Sequence, residues 1–404
     1  MPCPLPAAAP DPPPIADHTQ PVTVTLRPLD RPAAVEPMWR DLEERADGSF
    51  FLSWLWVGTW LHHRPPGSAP HLLVARRGEQ VVGLAVLCRR TLWRFALLRT
   101  RCWLLHESGD PVFDRLFVEY NGILADRRCA DAVLAASFGW LSRHLPGFDD
   151  MLLAGLDAAA EAAARRAAGD AGLAVRLHHA DAAQWVDLAG LRGSEDYRAT
   201  LGKNTRAALK RALRLYGERG PVTFRTAATA AEALADFAAL EPLHQASWVA
   251  RGQAGAFANP AFRPFHRDLI AAGVPTGLVR LCRVDAGDRA IGFLYNFVWR
   301  GRVMNYQGGF AYEADNRLKP GLVSHVLAIE DTLARGEGVY DFMSTPAGHK
   351  PLLSNGGQPM NWLAAGPDRL GRRVEERLCH LRARLKALLR RPPRPRLVLS
   401  GDAS

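Results

Sequence analysis

Of the 404 residues only six are cysteines, Cys3, Cys88, Cys102, Cys129, Cys282 and Cys379, and no two of them form a CxxC pair. That scatter argues against a disulfide framework and a Cys-based zinc site, and it fits a reduced, cytoplasmic setting. The chain also lacks any uncharged apolar run near the ~20 residues that a spanning helix needs, which excludes a helical membrane span. Residues 1–21, rich in Pro and Ala, lack a basic start followed by an apolar stretch, so they read as a loose tail and not as a secretory signal. No cluster with metal-ligand spacing and no Ser–His–Asp arrangement stands out. Acidic residues are outnumbered, 41 against 51 Lys and Arg, for a net charge of +10. The surplus is local: residues 371–396 hold ten Lys/Arg and two acids. The remaining body is almost neutral, which disfavours a duplex-binding protein. The apolar fraction of 48% and charged fraction of 23% are those of a folded globular chain, and the length suits two or three domains.

What is present is a weak internal repeat. Residues 71–90 read HLLVARRGEQVVGLAVLCRR, and residues 279–298 read VRLCRVDAGDRAIGFLYNFV. Each gives a strand, a polar turn carrying Gly78 or Gly287, and a second strand whose own glycine, Gly83 or Gly292, falls five residues later. These are hairpin signals. After the first hairpin come an apolar stretch near Trp103-Leu104-Leu105, a helical segment over about 130–145 and a strand near 151–153. After the second come Val303 to Tyr306, a loop through Asn316, a helix over about 321–333 and a strand over 339–343. Hairpin, strand, helix and strand, twice over, predict two α/β lobes with a cleft between them. Asp157 is the expected N-cap and Gly169 the expected end of an alanine-rich helix, and Asn204 or Thr205 the expected cap of a basic helix ending near Gly217. Val374, Leu378, Leu381, Leu385 and Leu388 recur at spacings of 4, 3, 4 and 3, the pattern of a basic amphipathic helix over 372–391 that Pro392 and Pro393 end.

Several residues are candidates for chemistry. Pro320-Gly321 opens a helix, and a helix N-terminus offers free N–H groups and partial positive charge to a phosphate. Arg317 and Lys319 add counter-charge beside Gly321 and Leu322. Asp341 is an acid on an otherwise apolar strand, so it has either a buried partner or a proton to move. Tyr306 is a hydroxyl donor or a core ring, and Lys350 an oxyanion or phosphate partner or a surface lysine. His325 reads as a helix-interior histidine, and His349 stands beside Lys350. Lys203 and Arg206 begin a run of five cations before Glu218, which is either a solvated face or an anion clamp at the cleft. Phe51, Trp54, Trp56 and Trp60, at spacings of three and four, line an acceptor cleft or build a core. His244, Trp248 and Arg251 carry the same ambiguity.

Taken in order, FFLSWLWVGTW (50–60), LGKNTRAALKRALR (201–214), RLKPGLVSHVLAIEDTLARG (317–336) and VYDFMSTPAGHK (339–350) resemble the acyl-CoA N-acyltransferase (GNAT) fold in doubled form. The resemblance, over roughly 45–365, is to the Fem-type aminoacyl transferases and to acetyltransferase-like proteins of cellulose and exopolysaccharide synthesis. It implies two tandem lobes, each a mixed, mostly antiparallel sheet flanked by helices. The N-terminal lobe spans 22–192, the C-terminal acyl-donor lobe 193–368, and a basic amphipathic helix and tail 369–404. It further implies a donor seated where two central strands part, its pyrophosphate at the next helix N-terminus. Arg317-Leu318-Lys319-Pro320-Gly321-Leu322-Val323 departs from the usual phosphate loop in having a single glycine, so acyl-CoA (acetyl-CoA) and aminoacyl-tRNA both stand as donors. The expected activity is acyl transfer to an amine, less readily a hydroxyl, of a small-molecule or sugar-linked cell-envelope precursor, without a metal. The expected roles are proton handling by Asp341 and Tyr306, oxyanion or anion binding by Lys350, donor binding by Arg317, Lys319, Gly321 and Leu322, and substrate contacts from Lys203, Arg206, Trp54 and Trp248. The competing expectation is a non-catalytic scaffold that meets a synthase complex or the inner membrane face through 372–391.

Overall fold

The structure, a computed structural model, describes residues 20–94, 98–145, 148–191, 196–344 and 350–369. The basic segment 372–391, most of the N-terminal tail and His349 lie outside the described residues. The first half runs β1 (Val22–Pro28), α1 (Glu36–Arg45), α2 (Trp54–His63), β2 (Pro70–Arg77), β3 (Gln80–Arg94), β4 (Leu98–Leu105) and β5 (Leu124–Ala125). It continues with α3 (Ala130–His144), β6 (Asp150–Leu156), α4 (Ala158–Asp170) and β7 (Ala174–Asp187). The second half has α5 (Tyr197–Thr200), α6 (Lys203–Gly217), β8 (Val222–Thr226), α7 (Ala230–Val249), α8 (Phe262–Gly273), β9 (Val279–Ala286), β10 (Arg289–Trp299) and β11 (Arg302–Phe310). It ends in α9 (Pro320–Ala334), β12 (Val339–Asp341), α10 (Lys350–Leu353) and β13 (Gly356–Gly366). Among the described residues no helix is long and apolar enough to cross a membrane.

One sheet runs through both halves in the order β1-β2-β3-β4-β6-β13-β7-β12-β11-β10-β9-β8, with β5 paired to β3. The order is palindromic: β1 corresponds to β8, β4 to β11, β6 to β12 and β7 to β13. The last strand of each half has crossed over. β7 pairs antiparallel with β12 of the second half, β13 with β6 of the first, and β7 and β13 pair with each other. A division of the chain into 22–192 and 193–368 therefore does not divide the sheet.

The repeated glycines have a packing cause. The hairpin loops place Gly78 and Gly287 at φ +56° and +59°, a region that favours glycine. In both copies a bulge precedes the strand glycine. A Cβ on Gly83 would lie 2.4 Å from Val133 on α3, and one on Gly292 2.1 Å from Ser324 on α9. The glycines thus let equivalent helices press on the sheet. Two caps differ in outcome. Asp157 accepts the Ala160 N–H (2.8 Å) as expected, but α4 runs past Gly169 to Asp170. The basic helix α6 starts after Gly202 without a side-chain cap, so neither Asn204 nor Thr205 caps it.

The aromatic run at 50–60 forms the joint between the lobes. Phe50 stacks on Phe297 of β10 with centroids 4.2 Å apart, and Trp56 packs against Phe265 of α8 at 5.0 Å. The Trp299 indole donates to the Gly48 carbonyl (2.6 Å). Phe297→Ala should cost about 3–5 kcal/mol, and in urea unfolding followed by tryptophan fluorescence both halves should still melt in one transition, at a lower midpoint.

Candidate active site at the parting of two central strands

β11 and β12 are parallel, yet they pair only over Arg302–Met304 and Val339–Asp341. β11 continues to Phe310, while the other chain turns away: the Phe342 N–H donates to the Gln184 carbonyl (2.8 Å), and Met343 adopts φ +58°. The seam between Asn305–Gly308 and Met343–Ser344 opens into a cavity of about 1230 Å³. Among the described residues neither a closed sheet nor a plugging side chain fills the gap.

The first lobe supplies the floor. Its loop after β4 crosses the seam and carries Phe117 and Tyr120 at positive φ (44° and 52°), a strain typical of segments held by function or by surrounding structure. Between them lies Glu119, 5% exposed. Its carboxylate accepts from the Ser344 hydroxyl (2.5 Å) and the Ser344 N–H (3.1 Å) across the lobe boundary. Burial pushes Glu119 up to about 7, against the opposing pull of those hydrogen bonds. Lys350, also lining the cavity and 6% exposed, donates its ammonium to the Phe342 carbonyl. Burial lowers it to about 8, although Glu119 and Asp341 hold it up. A carboxyl and an ammonium that both titrate near neutrality thus share one cleft.

The mouth is aromatic and cationic. Trp248 and Tyr312 line it, and Arg251 lies 4.8 Å over the Trp248 ring. Exposed Arg115 and Arg289 add charge. His244 bridges backbone, with Nδ1 on the Gly308 carbonyl (3.1 Å) and Nε2 accepting the Ala256 N–H (3.3 Å). It is therefore neutral, its pKa lowered by burial to about 4.

The expected residues divide sharply. Lys350, Trp248 and Tyr306 line the cavity. The Tyr306 hydroxyl, however, donates to the Leu116 carbonyl and so ties the first-lobe loop to β11. Asp341 is fully buried but has its partners: the Tyr120 hydroxyl (2.7 Å), Arg302 Nε (2.8 Å) and the Met343 N–H (2.7 Å). It does not line the cavity, whereas Glu119 does. Trp54 is a core residue, 7% exposed and packed on Trp39 at 6.1 Å. Lys203 and Arg206 are exposed on α6 and outside the cavity lining, with Arg206 on the Ala199 carbonyl (2.7 Å). Arg317 is exposed and paired to Asp315 (2.7 Å), and Lys319 is exposed. Gly321 and Leu322 are buried, and a Cβ on Gly321 would lie 3.3 Å from the Tyr312 hydroxyl and 3.5 Å from Phe310. Gly321, in the first turn of α9, thus sits against two rings of the cavity wall. His62, His63 and Asp268 bring ligand atoms within 4.8 Å of one another at the α2–α8 contact, a grouping that spacing hides because Asp268 lies 205 residues from His63.

Glu119 was missed, although Phe117-Val118-Glu119-Tyr120 carries the signal used for Asp341, an acid in an apolar run.

Two lobes sharing one sheet, with a parallel strand pair that parts beside a deep cavity, define the tandem GNAT architecture. Residues 203–351 match the family described as acetyltransferase (GNAT) domain. Among solved structures the chain is similar to FemX, at 10% identity and a TM-score of 0.56 over 88% of this chain and 99% of that one. It is also similar to the C-terminal domain (DUF2156) of a putative lysylphosphatidylglycerol synthetase from Agrobacterium fabrum, at 12% identity and a TM-score of 0.50 over 86% and 95%. These likenesses are of fold. No curated protein matches the chain.

Removing Arg302 leaves the Asp341 carboxylate buried without its counter-charge. Arg302→Met should therefore lower stability by about 3–5 kcal/mol in chemical denaturation.

Proposed function

We propose that the protein is an N-acyltransferase in which Glu119 acts as the general base for an amine acceptor and acyl-CoA is the donor. One observation carries this reading: a carboxyl poised near neutrality in the seam where the strands part. The acceptor enters as an ammonium, loses a proton to the Glu119 carboxylate directly or through one water, and attacks the thioester carbonyl. The tetrahedral intermediate collapses as the C–S bond breaks, the remaining proton on the attacking nitrogen passes to the departing thiolate, and no acyl-enzyme forms. Lys350, as its ammonium, supplies positive charge beside Glu119 and the developing oxyanion. Ser344 orients the base through its two hydrogen bonds. The arginines and rings at the mouth suit a donor that carries phosphates and a base. A sugar-linked cell-envelope amine remains the acceptor class that we put forward.

A second donor, aminoacyl-tRNA, is favoured by one feature. Phe310 and Tyr312 stand against Gly321 and line the cavity, whereas Gly321 and Leu322 are not in its lining. Titration of the purified protein with millimolar acetyl-CoA separates the two: stabilisation against melting supports acyl-CoA, and none at all counts against it.

The pH profile tests the base. Glu119 must be ionised, so kcat/KM should rise through about pH 7 and fall above about 8 as Lys350 loses its proton. Glu119→Gln should abolish the acidic limb and lower kcat by roughly 10²–10⁴-fold. Unchanged turnover in that variant would remove Glu119 from the mechanism.

A further inference from the structure

The first lobe holds a second cavity, of about 760 Å³, on the opposite side of the loop that carries Glu119. Glu119 lines the transfer cavity, while the next two residues, Tyr120 and Asn121, line this one. Its inner wall is apolar: Leu87, Phe138, Met151, Leu153 and the alanines of α4. Its volume falls in the range of ~300–1,000 Å³ typical of small-molecule sites.

The cavity has a cause in the sequence. Eight of the thirteen residues of α4 are alanine. Sheet register makes Met151 and Leu153 the counterparts of Tyr340 and Phe342, because β4 pairs Trp103 with Met151 as β11 pairs Val303 with Tyr340. In the second lobe those two rings, both fully buried, fill the space, and His325 Nδ1 meets the Tyr340 hydroxyl at 3.0 Å. In the first lobe shorter side chains face methyl groups, and the space stays open.

The mouth is polar and is completed by the second lobe. The β10–β11 turn, with Arg300 at φ +48°, docks there, and Arg300 donates to the Ala46 and Glu43 carbonyls. Arg127 stands beside it, and the two guanidinium groups share the Asp47 carboxylate, 2.9 Å from Arg127 and 3.7 Å from Arg300. Burial and the neighbouring Arg127 both disfavour the Arg300 cation, a cost that a ligand anion would relieve.

We propose that this cavity binds a single unbranched aliphatic chain ending in a carboxylate, with the chain along α4 and the head at Arg127 and Arg300. The site is distinct from the acyl-transfer seam and does not depend on how that seam works.

Dodecanoate, titrated calorimetrically into the full-length protein, should bind saturably with one site per chain. Dodecan-1-ol should bind at least about tenfold more weakly, and Arg300→Gln should erase that difference. Ala164→Phe and Ala160→Phe, which place a ring in the cavity, should abolish dodecanoate binding while keeping or raising the melting temperature. Absence of saturable binding, or undiminished binding in both phenylalanine variants, overturns the proposal. So does a fall of more than ~10 °C in the melting temperature of both, because it means that the space is already packed.

Discussion

The exchange of terminal strands is the constraint on which the remaining structure depends. β7 closes against β12 and β13 against β6, so each half completes its sheet with a strand from the other. Backbone hydrogen bonds then run unbroken across the molecule, and the lobes cannot rotate apart without breaking a ladder. That rigidity lets a carboxylate on a first-lobe loop meet a serine on a second-lobe turn at hydrogen-bond distance. Loops on a mobile interface would not hold such a contact.

Two buried acids lie near one another in this joint, and their surroundings separate their roles. Asp341 has a guanidinium, a phenol and a backbone N–H, and it anchors the end of β12. Among the described residues Glu119 has a serine's hydroxyl and N–H as donors, with Lys350 acting through space. Desolvation outweighs this weaker support, so its proton is exchangeable near neutrality. Tyr120 links the two, because it follows Glu119 in the chain and donates to Asp341. The same peptide separates the cavity at the seam from the one beside α4.

Much of the fold was legible because it is written locally. The hairpin glycines, the helix after each third strand and the Asp157 cap depend on residues a few positions apart, and the repeat doubled the signal. The crossing of β7 and β13 was not legible, since either strand would pair acceptably with its own half and only the assembled sheet decides between them. The tryptophans at 54, 56 and 60 illustrate a further limit. A helical stripe of rings is apolar whether it faces a ligand or another lobe, and here it faces Trp39 and α8.

By itself the sequence determined the two α/β units, their turns, and the kind of residue that proton handling requires: an acid in an apolar run. It did not distinguish Asp341 from Glu119, because both satisfy that description. The tertiary structure separates their surroundings, placing Arg302 against one and a cavity against the other. The physical reason is that a carboxyl's proton affinity reflects the charges and solvent around it, and those come from segments between 39 and 225 residues away.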